Sequence, residues 1–96
     1  MVYQVRIPPH LAAALAQLPP AVKRDAREAC RVLSCDPHAG DPLERELRGL
    51  RKYRIRSFRV VYRIMASERT IQILAVGPRH TIYDVVRELI ERRKTA

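Results

Sequence analysis

The chain has 96 residues, 47% of them hydrophobic and 30% charged, and its 19 lysines and arginines outweigh 10 acids to give a formal net charge of +9. A chain of this length buries roughly 60–68% of its unfolded surface, so one packed domain over residues 1–96 is expected and disorder is excluded. No apolar run approaches the roughly 18–20 residues of a membrane span, and the excess of cations points to a polyanionic partner: nucleic acid, an anionic membrane or an acidic protein.

Seven prolines punctuate the chain, and the segments between them read as structural elements. Val2–Ile7 alternates in the manner of a strand. No apolar signal core precedes Pro9. Leu11, Leu15 and Leu18 share a helical face, and the Pro19-Pro20 pair ends that helix. A second helix runs over about 21–34, with Val22, Ala26, Ala29, Cys30 and Leu33 forming its apolar stripe. The two should form a helical hairpin. Cys30 lies on the buried stripe as a small core residue. With Cys35 it fits a reduced, cytoplasmic protein better than a disulfide scaffold.

Asp36–Asp41 holds Pro37 and Gly40 and reads as loop, and Leu43–Leu50 is compatible with a helical turn or an extended segment. Tyr53–Phe58, Arg59–Met65 and Thr70–Val76 are β-branched, aromatic and basic, and predict three successive strands. Ala66–Arg69 is the polar connection of a hairpin. The last strand, with Ile71, Ile73, Leu74 and Val76, has too little polar alternation for an edge position. Thr81–Lys94 carries Ile82, Val85, Val86, Leu89 and Ile90 at helical spacing, with Thr81 as cap and Glu88–Arg92 as an i, i+4 pair. Its basic end, Arg92, Arg93 and Lys94, could meet a membrane, but Asp84, Glu88 and Glu91 on the polar face argue against that. The expected fold is α+β, in the order β-α-α-β-β-β-α.

The charge is concentrated. Arg48, Arg51, Lys52, Arg54, Arg56, Arg59 and Arg63 lie in one stretch without an acid. Alternation puts Arg54 and Arg56 on one strand face and Tyr53 and Ile55 on the other, with Arg59 and Arg63 sharing a face of the next strand. Arginine forks match phosphate oxygens, so such a face is a phosphate cradle; the competing reading is edge charge that prevents aggregation. A second constellation, Val76-Gly77-Pro78-Arg79-His80-Thr81-Ile82-Tyr83, joins a buried strand to a helix N-terminus, where anions are favoured. There Arg79 is a fixed cation, and Tyr83 one turn on can reach the same space. Arg79 paired with Asp84, or Tyr83 packed on the sheet, would be structural alternatives. His10, His38 and His80 are far apart and show no metal-ligand spacing, so no metal and no cofactor is expected.

Leu47-x-Gly49-Leu50, Tyr53-Arg54-Ile55-Arg56, Phe58-Arg59-Val60-Val61-Tyr62 and Val76-Gly77-x-Arg79-x-x-x-Tyr83 together resemble the RelE/ParE superfamily, the toxins of type II toxin–antitoxin modules. The resemblance implies a small, largely antiparallel sheet with a helical hairpin and a C-terminal helix. It implies one of two targets: RelE-like members cut messenger RNA on the ribosome without metal, leaving 2′,3′-cyclic phosphate ends, and ParE-like members inhibit DNA gyrase. A basic module that binds nucleic acid without catalysis is a third reading. Matched position by position, the RelE-like pattern assigns Arg59, Arg79 and Tyr83 to catalysis and Lys52, Arg54 and Arg56 to substrate phosphates, with His80 as an auxiliary acid–base group or an exposed loop residue. Arg59 and Arg79 would stabilise the charged transition state, and Tyr83 would orient or deprotonate the 2′-OH. The Arg56-Ser57 turn is shorter than the family's and lacks its glycine, which leaves the roles of Lys52, Arg54 and Arg56 interchangeable. The implied partners are a cognate antitoxin with an acidic or partly disordered segment, the ribosome and its message, and no membrane.

Overall fold

The computed structural model describes residues 2–95, and the side chains of residues 2–92, so those of Arg93 and Lys94 lie outside the described set. In chain order the elements are β1 (Gln4–Arg6), α1 (Pro9–Leu15), α2 (Pro20–Cys35), β2 (Asp41–Pro42), β3 (Arg51–Ile55), β4 (Phe58–Met65), β5 (Thr70–Pro78) and α3 (Ile82–Thr95). The strands form one sheet in the order β1-β5-β4-β3-β2. Every pairing is antiparallel except that of β1 with β5, in which Gln4 lies opposite Thr70. This is the α+β architecture expected from the hydrophobic patterning.

Two elements begin and end differently from the expectation. α1 stops at Leu15, ahead of the proline pair, and Pro20 opens α2 instead. Proline suits that first helical position because it lacks an N–H that would otherwise be orphaned, and its φ is already helical. The undecided segment Leu43–Leu50 contains a single 3-10 turn, Arg45–Leu47, followed by Gly49 at φ 95°. A Cβ at Gly49 would touch nothing within 4 Å, so the demand there is on backbone conformation alone.

The sheet separates two apolar layers. On one face the helical hairpin contributes Leu11, Val22, Ala26, Ala29 and Leu33 against Ile55, Val60, Tyr62, Ile71 and Ile73. On the other, α3 contributes Ile82 and Val86 against Leu47, Leu50, Val61 and Ala75. β5 serves both layers, which explains its lack of polar alternation. An irregularity in the β4–β5 ladder opposes Val61 to Ala75 but Tyr62 to Ile73, leaving Leu74 as the extra residue. Cys30 sits half-buried on α2, and burial pushes its thiol pKa up, which disfavours the thiolate.

Tyr62 is fully buried and ties down the loop between α2 and β2. Its hydroxyl donates to the Pro37 carbonyl at 2.7 Å and accepts from the Gly40 N–H at 3.1 Å. Arg51 Nη2 donates to the Gly40 carbonyl at 2.6 Å, closing the loop onto β3. Among the described residues no helix is long and apolar enough to cross a membrane.

Candidate active site

The α3 face of the sheet is apolar in its middle and basic at the end where β3 turns into β4. Arg54 and Arg59 are direct cross-strand partners, and Gly77 of β5 pairs with Arg59 on its other side. Directly opposed residues project from the same face of a sheet with Cβ atoms about 4.5–5.5 Å apart. Two like charges so placed repel, and no carboxylate among the described residues forms an ion pair with either. An anion lodged between them would relieve that repulsion, which makes this a site prepared for negative charge.

Lys52 lies one pleat further along β3, opposite Val61. Its Nζ stands over the Tyr83 ring, 5.9 Å from the centroid, within reach of a cation–π attraction. The half-buried Tyr83 is in the first turn of α3, and its ring packs on the same apolar layer as Val61 and Ala75. The close seating of that turn depends on Gly77. A Cβ there would stand 3.1 Å from Ile82 Cδ1, tighter than ordinary contact. A lone glycine in a strand is a signal of such an approach.

The loop from β5 to α3 is pinned to the β3–β4 turn: the Arg79 N–H donates to the Ser57 carbonyl at 3.0 Å. Arg79 is therefore anchored by its backbone while its side chain stays exposed and without a carboxylate partner among the described residues. The alternative partner, Asp84, is taken by Arg87 at 2.9 Å. Arg87 also donates to Glu46 at 2.9 Å, bridging α3 to the loop before β3. A hydrogen bond from its own backbone, joined by this bridge, lowers the Glu46 pKa. Nothing in the sequence spacing announces the Glu46–Arg87 link, because the partners are 41 residues apart.

The half-buried Arg59 bends back over the turn, with Nη1 donating to the Phe58 carbonyl at 2.9 Å. That bond uses one guanidinium nitrogen and sets the side chain's direction. His80 is exposed in the loop.

Arg56 departs from the expected geometry. β3 ends at Ile55, which pairs with Phe58, so Arg56 and Ser57 form the two-residue turn rather than continuing the strand. Arg56 adopts φ 55°, in the left-handed region, and its guanidinium reaches Asp25 of α2 on the opposite face of the sheet. It does not share a face with Arg54. Arg63 is likewise distant from Arg59, four residues along β4, about 13 Å at the usual strand rise. Of the residues singled out in the sequence, the fold thus brings Lys52, Arg54, Arg59 and Tyr83 to one end of one face, with Arg79 at its border, and leaves Arg56 outside. No group of three or more potential metal-binding His, Cys, Asp or Glu side chains occurs among the described residues.

Comparison with known proteins agrees with this fold. Residues 5–83 match the family model described as the ParE toxin of the type II toxin–antitoxin system parDE. No curated protein matches the sequence significantly. Among solved structures, a chain of the RelBE2 toxin–antitoxin complex of Mycobacterium tuberculosis is 34% identical and superposes with a TM-score of 0.74, over 82% of this chain and all of that one. A chain of the RelE–RelB complex of the archaeon Pyrococcus horikoshii is 30% identical, with a TM-score of 0.69, over 82% of this chain and 97% of that one. A variant of the Escherichia coli toxin RelE in the free state, at 19% identity, shares the fold with a TM-score of 0.76 over 96% of this chain and 98% of that one. The chain belongs to the RelE/ParE superfamily, the toxins of type II toxin–antitoxin modules.

Proposed function

We propose that the chain is an endoribonuclease that cuts messenger RNA on the ribosome and so stops translation, with no metal or organic cofactor in its step. The observation that carries this reading is the cross-strand pair Arg54–Arg59, free of carboxylate ion pairs among the described residues, beside a tyrosine whose ring lies beneath the Lys52 ammonium. In the reaction a ribose 2′-oxygen attacks the adjacent phosphorus, the bond from phosphorus to the 5′-oxygen breaks, and the products are a 2′,3′-cyclic phosphate and a 5′-hydroxyl. The 2′-OH loses its proton to water, and the departing 5′-oxygen gains one from water. Charge on the phosphoryl oxygens grows toward the transition state, so fixed cations stabilise that state more than the ground state. Arg59 and Arg79 take this role. Lys52 and Arg54 hold flanking phosphates, and the Tyr83 hydroxyl orients the 2′-OH. A cognate antitoxin with an acidic segment is the inhibitory partner, consistent with the RelB-bound state of the mycobacterial and archaeal relatives and with the net charge of +9.

The test is expression of Arg79→Ala and Tyr83→Phe singly, with growth and primer extension on translated messages as readouts. Cuts within codons that weaken at least about 100-fold in both variants are the expected result. Growth arrest that survives both changes overturns the assignment. A second reading, inhibition of DNA gyrase, is favoured by the match to the ParE family model; intact messages together with gyrase-dependent DNA breaks would establish it instead.

A further inference from the structure

The two-residue turn between β3 and β4 is where three separate contacts meet. Its first residue, Arg56, sits at φ 55°. Glycine takes that conformation freely at the first position of such a turn, and a side chain makes it costly. The Arg56 carbonyl accepts Arg59 Nη1 at 3.4 Å, beside the shorter bond of that nitrogen to the Phe58 carbonyl. The carbonyl of the second residue, Ser57, accepts the Arg79 N–H at 3.0 Å. Two consecutive carbonyls therefore direct one side chain and one loop. The residues they hold, Arg59 and Arg79, are the two cations assigned above to the transition state.

The guanidinium of Arg56 turns away from those cations. Its Nε donates to Asp25 Oδ2 on the opposite face of the sheet. Asp25 stands on α2, whose Val22, Ala26 and Ala29 are buried against the sheet, so the carboxylate is carried by a firmly packed element. A half-exposed ion pair of this kind adds little to global stability, because water screens it and ordering two side chains costs entropy. Its effect is local. It ties the helical hairpin to the turn and keeps Arg56 in a conformation that its residue type disfavours. Strain kept at such a place is a mark of function.

We propose that Asp25 and Arg56 are positioning residues, whose ion pair across the sheet sets the β3–β4 turn so that its carbonyls hold Arg59 and Arg79 in place for the reacting phosphate. The inference rests on the reading of the chain as a metal-free ribonuclease. A misplacement of about 1 Å can cost about 100-fold in rate where the geometry is preset, so a strut worth little to stability can still control the reaction.

The experiment measures single-turnover cleavage of message on programmed ribosomes by the parent chain, by Asp25→Ala, and by the charge exchange that combines Asp25→Arg with Arg56→Asp. Alanine is the better helix former, so Asp25→Ala leaves α2 intact. It also adds one net positive charge, so a fall in its rate is not a loss of attraction for RNA. In Asp25→Ala the rate at saturation should drop at least about tenfold, while the half-saturating concentration changes less than about threefold. Aspartate is among the residues that tolerate positive φ, and the charge exchange should return the rate to within about threefold of the parent. Hydrogen exchange of the Arg79 amide gives a readout independent of activity, and it should quicken at least about tenfold in Asp25→Ala as the Ser57 carbonyl moves. Parental cleavage by Asp25→Ala, or an Arg79 amide that stays protected in it, overturns the inference and leaves the nuclease reading standing. So does a loss confined to the half-saturating concentration, or one that the charge exchange fails to recover. A parent chain that cuts no message overturns the nuclease reading, and this inference with it.

Discussion

Tyr62 shows how one side chain can hold a loop that has no regular structure. The only polar atom of its side chain is the hydroxyl, and both its proton and a lone pair are used on the backbone of the loop between α2 and β2. Gly40 is the complementary part. A Cβ at that position would stand 2.5 Å from the Tyr62 hydroxyl and closer still to the Lys52 carbonyl. Neither neighbour is free to retreat, so Gly40→Ala is expected to destabilise the fold by about 2–3 kcal/mol, as overpacking does, measured by urea unfolding. Burial raises the Tyr62 pKa, with the Gly40 N–H and nearby Arg51 pulling the other way. Above about pH 10 the unfolded chain then releases the Tyr62 proton while the folded chain retains it. The unfolded state binds fewer protons there, so stability falls as pH rises beyond that point and is unaffected below it. Tyr62→Phe should be less stable at pH 7, having left two backbone groups unpaired, yet show a shallower alkaline decline. Unfolding midpoints between pH 8 and 11 would read both.

The elements were legible to different degrees, for physical reasons. β4, β5 and α3 announce themselves because their apolar spacing matches the strand or helix period over many residues. The turn at Arg56 does not, since arginine is a poor choice for φ 55° and resembles a continuing basic strand. Only the pull of Asp25 across the sheet edge accounts for its direction. Lys52 over Tyr83 was legible as a pair of candidate residues but not as a contact, because it depends on how closely Gly77 lets α3 approach. Arg69, which closes the β4–β5 connection at φ 49°, is another arginine in the left-handed region. Its amide bonds to the Ala66 carbonyl, its carbonyl accepts from Gln4, and its side chain is exposed. Arg69→Gly keeps those backbone bonds and removes a penalty of about 1–2 kcal/mol, partly offset by the greater freedom of unfolded glycine. A net stabilisation of up to about 1 kcal/mol is expected in thermal or urea unfolding.

For the whole molecule, the net charge of +9 separates into distinct regions. Lys52, Arg54, Arg59 and Arg79 sit together at one end of the sheet. Arg56 and Arg87 are engaged by acids, and Arg48 and Arg63 line a groove between α3 and β5. Binding to single-stranded RNA should therefore use about four phosphates, and log K should fall against log salt with a slope of about −3. Arg79→Gln should make that slope shallower by about 0.7, whereas a substitution at Arg56 should leave it unchanged. Fluorescence anisotropy across a salt series would measure both.

The parallel pairing of β1 with β5 also sets a timetable. Gln4 cannot meet Thr70 until 66 further residues have been synthesised, a delay of about 3–13 s at ordinary elongation rates. The β3–β4 hairpin, joined by two residues, has no such wait. The nascent chain thus assembles its Arg54–Arg59 pair early and its edge strand late, and Tyr83 emerges after both. A chain still in synthesis thus carries Arg54 and Arg59 before it has the helix that brings Tyr83 beneath Lys52, so this end of the sheet is completed last.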